Sequence, residues 1–191
     1  MRLGRELTPR PQNLMPSLIR PFQAHDASFV SALFAAYMAE LFGAANAMTA
    51  ERLVAGCGRH FELMVAEDGA TLVGFAAWRE IYDLHNDVLG GEIADFFVAP
   101  SHRGRGVAVQ LVAGVAGEIK RRGGVFLCSL VLQDDPARVK LARRWGVGFA
   151  GEHTYLAEAV FHRMADWGGG GDPRMAMRQL LAMRPKREAK S

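Results

Sequence analysis

The stretch Arg103-Gly104-Arg105-Gly106-Val107-Ala108 carries the clearest chemistry in the chain. It follows an apolar run, Glu92 to Val98, and the turn Ala99-Pro100-Ser101-His102, and it opens a helical pattern from Val107 to Arg122. A glycine-rich turn between a strand and a helix leaves several backbone N–H groups unpaired and aimed at one spot, where the positive end of the helix dipole also lies. Such a place holds phosphate, and Arg103 and Arg105 put mobile positive charge beside it. The expected ligand is therefore a phosphate-bearing cofactor. No Gly-Lys-Ser/Thr follows, so the turn is not a P-loop. It falls at mid-chain with no βαβ unit and acidic ribose ligand after it, which makes it a poor dinucleotide fingerprint.

The strand leading into this turn carries two carboxylates, Glu92 and Asp95. Strict alternation puts Glu92, Ala94 and Phe96 on one face and Ile93, Asp95 and Phe97 on the other. Only one carboxylate can then face a cleft, unless a bulge shifts the register. Each has a structural alternative: Glu92 as a solvated strand start, Asp95 as a hydrogen-bond acceptor.

The elements that must position these residues alternate between strand and helix patterns. Ser17 to Pro21 reads as a first strand, and Asp26 as the N-cap of a helix over 27–42 with Phe29, Val30, Leu33, Phe34, Tyr37, Met38 and Leu41 on one face. Thr49 caps a second helix, Ala50 to Cys57. Phe61 to Ala66 and Thr71 to Ile81 form a hairpin about Glu67-Asp68-Gly69, and Tyr82 to Gly91 reads as a polar loop before the central strand. The helix after the phosphate turn stops at Gly123-Gly124. Val125 to Leu132 is nearly all apolar, as in a strand buried on both faces. A helix over 136–145 follows, with Asp135 at its N-cap, then a closing strand from Tyr155 to Phe161. Gly168 to Gly171 reads as a hinge, and Pro173 to Met183 as a short amphipathic helix.

The chain has 191 residues, half of them hydrophobic, which suits one domain with a sizeable core. No apolar run approaches the roughly 20 residues needed to span a bilayer. The first 16 residues carry Arg2, Arg5 and Arg10 but no apolar stretch of a secretory signal. Cys57 and Cys128 make no disulfide framework, so cytoplasmic residence is expected. Of the net +3, residues 1–16 hold +2 and residues 168–191 hold +4, which leaves the body at −3. The basic character belongs to the ends, which argues against nucleic acid as a partner. The expected organisation is an N-terminal extension (1–16), a domain (17–167) and a basic, partly helical or disordered tail (168–191).

Arg103, Gly106 and Ala108 stand in the three fixed places of Arg/Gln-x-x-Gly-x-Gly/Ala, the pyrophosphate motif of the GNAT N-acetyltransferases, and the order of elements over about 18–162 resembles that superfamily. Gly74-Phe75-Ala76, Tyr82-Asp83, Asp95-Phe96-Phe97-Val98 and Arg103-Gly104 are similar to the diamine acetyltransferase branch. The resemblance implies an α/β (α+β) fold with a mixed, mostly antiparallel central sheet flanked by helices, in which a splayed strand pair holds acetyl-CoA. It implies an acetyl-CoA-dependent enzyme acting on a small, cationic primary amine, without a metal, nucleic acid or membrane. Many members dimerise, and the closing strand or the 173–183 helix offers a surface for that.

By position in the family pattern, the backbone of Phe96, Phe97 and Val98 would pair with pantetheine, and the N–H groups of Gly104, Arg105, Gly106, Val107, Ala108 and Val109 would hold the pyrophosphate, with Arg103 and Arg105 in reach. Asp135 stands near the place where many members carry an Asn, and also suits a plain helix cap. Glu92 matches the base position of histone-type relatives, while Asp95 keeps half of the Glu-Asp pair common in the diamine branch, where Ala94 replaces the other half. Many members carry a Tyr as general acid in the helix after the pantetheine strand, and Lys140 to Trp145 contains none. Tyr155, His153 or Cys128 are the substitutes, or the thiolate leaves unaided. These departures keep open a degenerate acetyl-CoA sensor, and the basic tail keeps open a protein or peptide acceptor. The Tyr82–Asp87 loop adds two carboxylates that would attract a cation.

Overall fold

A computed structural model describes residues 17–43, 45, 48–130, 147–150, 153–156 and 158–182. The strands are β1 (Leu18–Pro21), β2 (Glu62–Asp68), β3 (Thr71–Asp83), β4 (Val88–Val98), β5 (Phe126–Leu130), β6 (Val147–Ala150) and β7 (His153–Leu156). The helices are α1 (Ala27–Phe42), α2 (Ala50–Gly56), α3 (Val107–Arg121), α4 (Glu158–Trp167) and α5 (Pro173–Ala182). The seven strands form one sheet in the order β1-β2-β3-β4-β5-β7-β6. Among the described strands only β4 and β5 run parallel, joined by the α3 crossover that parallel pairing requires. The mixed, mostly antiparallel sheet flanked by helices is the architecture expected.

Helices cover both faces of the sheet. On one face α3 inserts Val107, Leu111, Val115 and Ile119 against Val73, Trp78 and Ile93, and α4 adds Phe161 and Met164. On the other face α1 and α2 set Val30, Tyr37 and Leu53 over Val65, Phe75, Ala77 and Phe97. Both helices that frame the site keep the boundaries their periodicity indicates. Gly43 ends α1 at φ 58, and Gly123, at φ 90, follows α3.

Four local readings change. The polar stretch from Tyr82 to Gly91 is mostly strand: β3 runs on to Asp83 and β4 begins at Val88. Only residues 84–87 turn, around an Asp83 carboxylate that accepts from the His85 and Asn86 N–H groups. The closing strand ends at Leu156, and Glu158 to Phe161 is already α4, whose Phe161 is wholly buried against α3. Asp26 does not cap α1 with its side chain, because Arg20 and the Gln23 N–H take its carboxylate. The fourth change is a bulge in β4, described below. The helix read over 136–145 lies outside the described residues.

Candidate active site

The pairing of β3 with β4 slips by one residue: Ala77 lies opposite Asp95, but Trp78 lies opposite Ile93. Ala94 is the extra residue, and it is exposed. The bulge reverses the alternation beyond it. Ile93 and Phe96 face α3, and Asp95 and Phe97 face α1. Glu92, paired across the ladder with Arg79, shares the α1 face. Both carboxylates therefore lie on one face, which unbroken alternation forbids.

Their partners differ. Glu92, with 12% of its side chain exposed, accepts from Arg79 through Oε2 at 2.8 Å from Nε and 2.6 Å from a terminal nitrogen. Asp95 accepts a 2.9 Å hydrogen bond from the Tyr37 hydroxyl. Tyr37 is buried in α1 and stands edge-on to Phe34, Phe75 and Phe97. From its spacing alone Tyr37 reads only as a residue of the apolar face of α1. Nothing local signals the bond, since the partners are 58 positions apart.

The ladder between β4 and β5 runs from Gly90↔Phe126 to Ile93↔Ser129. Beyond it β4 continues through Ala94 to Val98 with no β5 partner among the described residues.

Gly104 and Gly106 take φ of 73° and 93°, conformations that a side chain disfavours. Gly106 is the N-cap of α3 and has no side chain to cap the helix. The N–H groups of Gly106, Val107, Ala108 and Val109 lack intrahelical partners by the geometry of a helix start. Val107 and Val109 bury their side chains in the core, so only their backbone can serve a ligand. The two arginines part company. Arg105 is exposed at the turn. The Arg103 guanidinium points instead to α1: it donates to the Val98 carbonyl at 2.9 Å and to Glu40 at 2.7 Å, and lies 5.4 Å from the Phe97 ring centre. Its side chain links strand to helix.

Cys128 lies opposite Glu92 on β5, and Tyr155 lies opposite Cys128 on β7. The register thus lines up Glu92, Cys128 and Tyr155 across three strands. His153 pairs with Leu130, two positions further along. Burial, reinforced by the negative charge of Glu92, pushes the Cys128 thiol up to about 11. Asp135 lies outside the described residues. The Tyr82–Asp87 loop is set apart: Asp83 is six strand residues, roughly 20 Å, beyond the Asp95 level. Its carboxylates are engaged locally, Asp83 by Asn86 and Asp87 by the Tyr82 hydroxyl.

A glycine turn that opens a helix directly after a strand, with a carboxylate on that strand, suits a phosphate-bearing acyl donor. The model of the acetyltransferase (GNAT) family matches residues 27–147, and the chain belongs to that family. It is an acetyl-CoA-dependent N-acetyltransferase. No curated protein sequence matches it significantly. Solved structures share its fold at low identity. A ribosomal-protein-alanine N-acetyltransferase from Brucella melitensis is 19% identical with a TM-score of 0.60, over 73% of this chain and 98% of that one. The PaiA N-acetyltransferase from Thermoplasma acidophilum, solved with coenzyme A, is 14% identical with a TM-score of 0.59, over 74% and 97%. An aminoglycoside acetyltransferase from an uncultured soil metagenomic sample, solved with sisomicin, is 17% identical with a TM-score of 0.57, over 66% and 85%.

Proposed function

We propose that this chain acetylates a small cationic primary amine and that Asp95 holds the amine and takes its proton. The observation that carries this reading is the bulge at Ala94, which turns Asp95 to the α1 face of β4, where the Tyr37 hydroxyl meets it. Glu92 shares that face, but two Arg79 donors occupy its Oε2. The Tyr37 bond uses one oxygen of Asp95 and fixes the carboxylate plane.

The chemistry follows from the groups present. An amine with a pKa near 10.4 arrives protonated, so a carboxylate both attracts it and accepts a proton, directly or through water, as the C–N bond forms. The backbone of Phe96, Phe97 and Val98 pairs with pantetheine as an added strand, and the N–H groups from Gly104 to Val109 hold the pyrophosphate. Arg105 adds charge at the turn, while Arg103 acts through the position it gives to β4. Holding amine and thioester together supplies much of the rate. Attack is direct: a Cys128 thiol pushed up to about 11 is nearly all protonated at neutral pH, which makes it a poor acyl carrier. Tyr155, in register with Cys128 and Glu92, returns a proton to the departing thiolate.

Recognition of the amine rests on Asp95 and not on the β3–β4 loop, whose carboxylates are distant and engaged. A small amine fits one carboxylate and a retained Asp95-Phe96-Phe97-Val98 segment. A peptide amine is the second reading, favoured by the +4 charge over residues 168–191, which suits an acidic protein partner. The test is free-thiol release from acetyl-CoA with monoamines, diamines, aminoglycosides, basic amino acids and a peptide bearing a free N-terminus. Turnover on small amines is expected. Turnover on the peptide alone would replace the first reading with the second.

A further inference from the structure

The family match ends at residue 147, but α4 and α5 continue the fold against α3. α4 crosses α3 near Gly117, where an added Cβ would lie 3.3 Å from the Ala165 carbonyl oxygen. Lys120 pairs with Asp166 beside this crossing. From there Gly168-Gly169-Gly170-Gly171 runs back along α3 towards its start. Gln110, 1% exposed, donates from Nε2 to the Gly169 carbonyl at 2.9 Å, and to the Ser17 carbonyl at 3.4 Å. A Cβ on Gly169 would meet the Gln110 carbonyl oxygen at 2.4 Å, so the two backbones are in direct contact. The strap follows α3 from Gly117 to Gly106, 11 residues or roughly 16 Å of helix.

The strap ends on the phosphate turn. Pro173, the first residue of α5, is buried, and a Cβ on Gly106 would lie 2.4 Å from its Cγ. Arg174 follows directly, its N–H held by Asp172 Oδ1 at 2.8 Å. Arg178 comes one turn later, on the same side of α5 by its spacing. Both arginines are exposed. A run read from sequence as a hinge is thus fixed by a buried glutamine, and it delivers two cations to the edge of the cofactor turn.

We propose that α5 is part of the cofactor site, with Arg174 and Arg178 binding the 3′-phosphate on the ribose of coenzyme A. This rests on the reading of the turn as the pyrophosphate site. The turn's N–H groups serve the pyrophosphate, and the coenzyme carries a third phosphate, largely dianionic at neutral pH, that needs a counter-charge. Arginine meets phosphate through paired N–H donors. Asp172 is the opposing charge nearby, and its Oδ1 is committed to the Arg174 N–H.

The test is calorimetric titration of the full chain with coenzyme A and with 3′-dephospho-coenzyme A. Wild type is expected to prefer coenzyme A by ten- to a hundredfold, the range of a charge-assisted pair. The double variant Arg174→Ala/Arg178→Ala should bind the two ligands equally, with its affinity for the dephospho form unchanged. Arg121→Ala, which removes the same type of charge at the far end of α3, should keep the wild-type preference. A double variant that retains the wild-type ratio overturns the proposal, as does a wild type without preference. If wild type binds neither ligand, the pyrophosphate reading falls and the proposal with it.

Discussion

The Tyr37 hydroxyl donates a 2.9 Å hydrogen bond to Asp95 and so ties α1 to the bulged end of β4. A hydrogen bond to a charged group contributes roughly 1.5–3 kcal/mol, and losing it frees the carboxylate to rotate. Tyr37→Phe keeps the ring among Phe34, Phe75 and Phe97. We expect kcat to fall about tenfold with the KM for acetyl-CoA unchanged. Steady-state kinetics with acetyl-CoA varied at saturating amine check this, and a wild-type kcat would remove Tyr37 from the site.

Glu92 is tied to Arg79, whose side chain is 61% exposed, and an ion pair in such a setting contributes about 0–1 kcal/mol. Glu92→Gln should therefore cost less than about tenfold in kcat and little stability. A loss above a hundredfold, with the variant still folded, would make Glu92 the base in place of Asp95.

Arg103 and Arg105 differ in where they point, and their variants should differ in kind. Arg103→Ala removes bonds to Val98 and Glu40 and a contact with the Phe97 ring. We expect about 1–2 kcal/mol of lost stability, a melting temperature lower by a few degrees, and acetyl-CoA affinity within about threefold of wild type. Arg105→Ala should leave stability alone and weaken acetyl-CoA binding by roughly three- to tenfold, less so at high salt. Thermal melts and titrations at two ionic strengths separate the two. The reverse assignment of effects would place the Arg103 guanidinium on the phosphate.

Acid should loosen the tie between β1 and the start of α1. The Arg20 guanidinium, 2.7 Å from Asp26, holds that buried carboxyl below the usual carboxylate range, helped by the Gln23 N–H. The unfolded chain therefore binds the proton first as pH falls. The contribution is fully present above the ordinary value near 3.9 and is lost as pH drops below it. Asp26→Asn should cost about 2–4 kcal/mol at pH 7 and flatten the fall in stability between pH 5 and pH 3. Urea melts across that range are the check, and an unchanged slope would show that other carboxyls govern acid unfolding.

Much of the framework was legible because it rests on local signals. The apolar period of α1 and α3, and the glycine stop after α3, fix those helices from neighbouring residues alone. The glycines at 104 and 106 announce the turn because the backbone there needs positive φ. What was not legible depends on register. A bulge adds one residue without a mark in composition, so the shared face of Glu92 and Asp95 could not be read from alternation. The polar residues around the β3–β4 turn hid the strand ends, because both strands run on past the covered sheet into solvent. Val160 and Phe161 looked like strand, though Phe161, Met164 and Ala165 carry helical spacing. The Tyr37–Asp95 bond and the Pro173–Gly106 contact join segments far apart in sequence, and only the fold brings them together.

The most direct measurement is free-thiol release from acetyl-CoA by wild type and Asp95→Asn on the best amine of the panel, with acetyl-CoA affinity titrated in parallel. We expect kcat to drop by about 10²–10⁴, the range for loss of a positioned base, with coenzyme affinity held. An Asp95→Asn enzyme that turns over at the wild-type rate would contradict the assignment of Asp95 and return the carboxylate to a purely structural role.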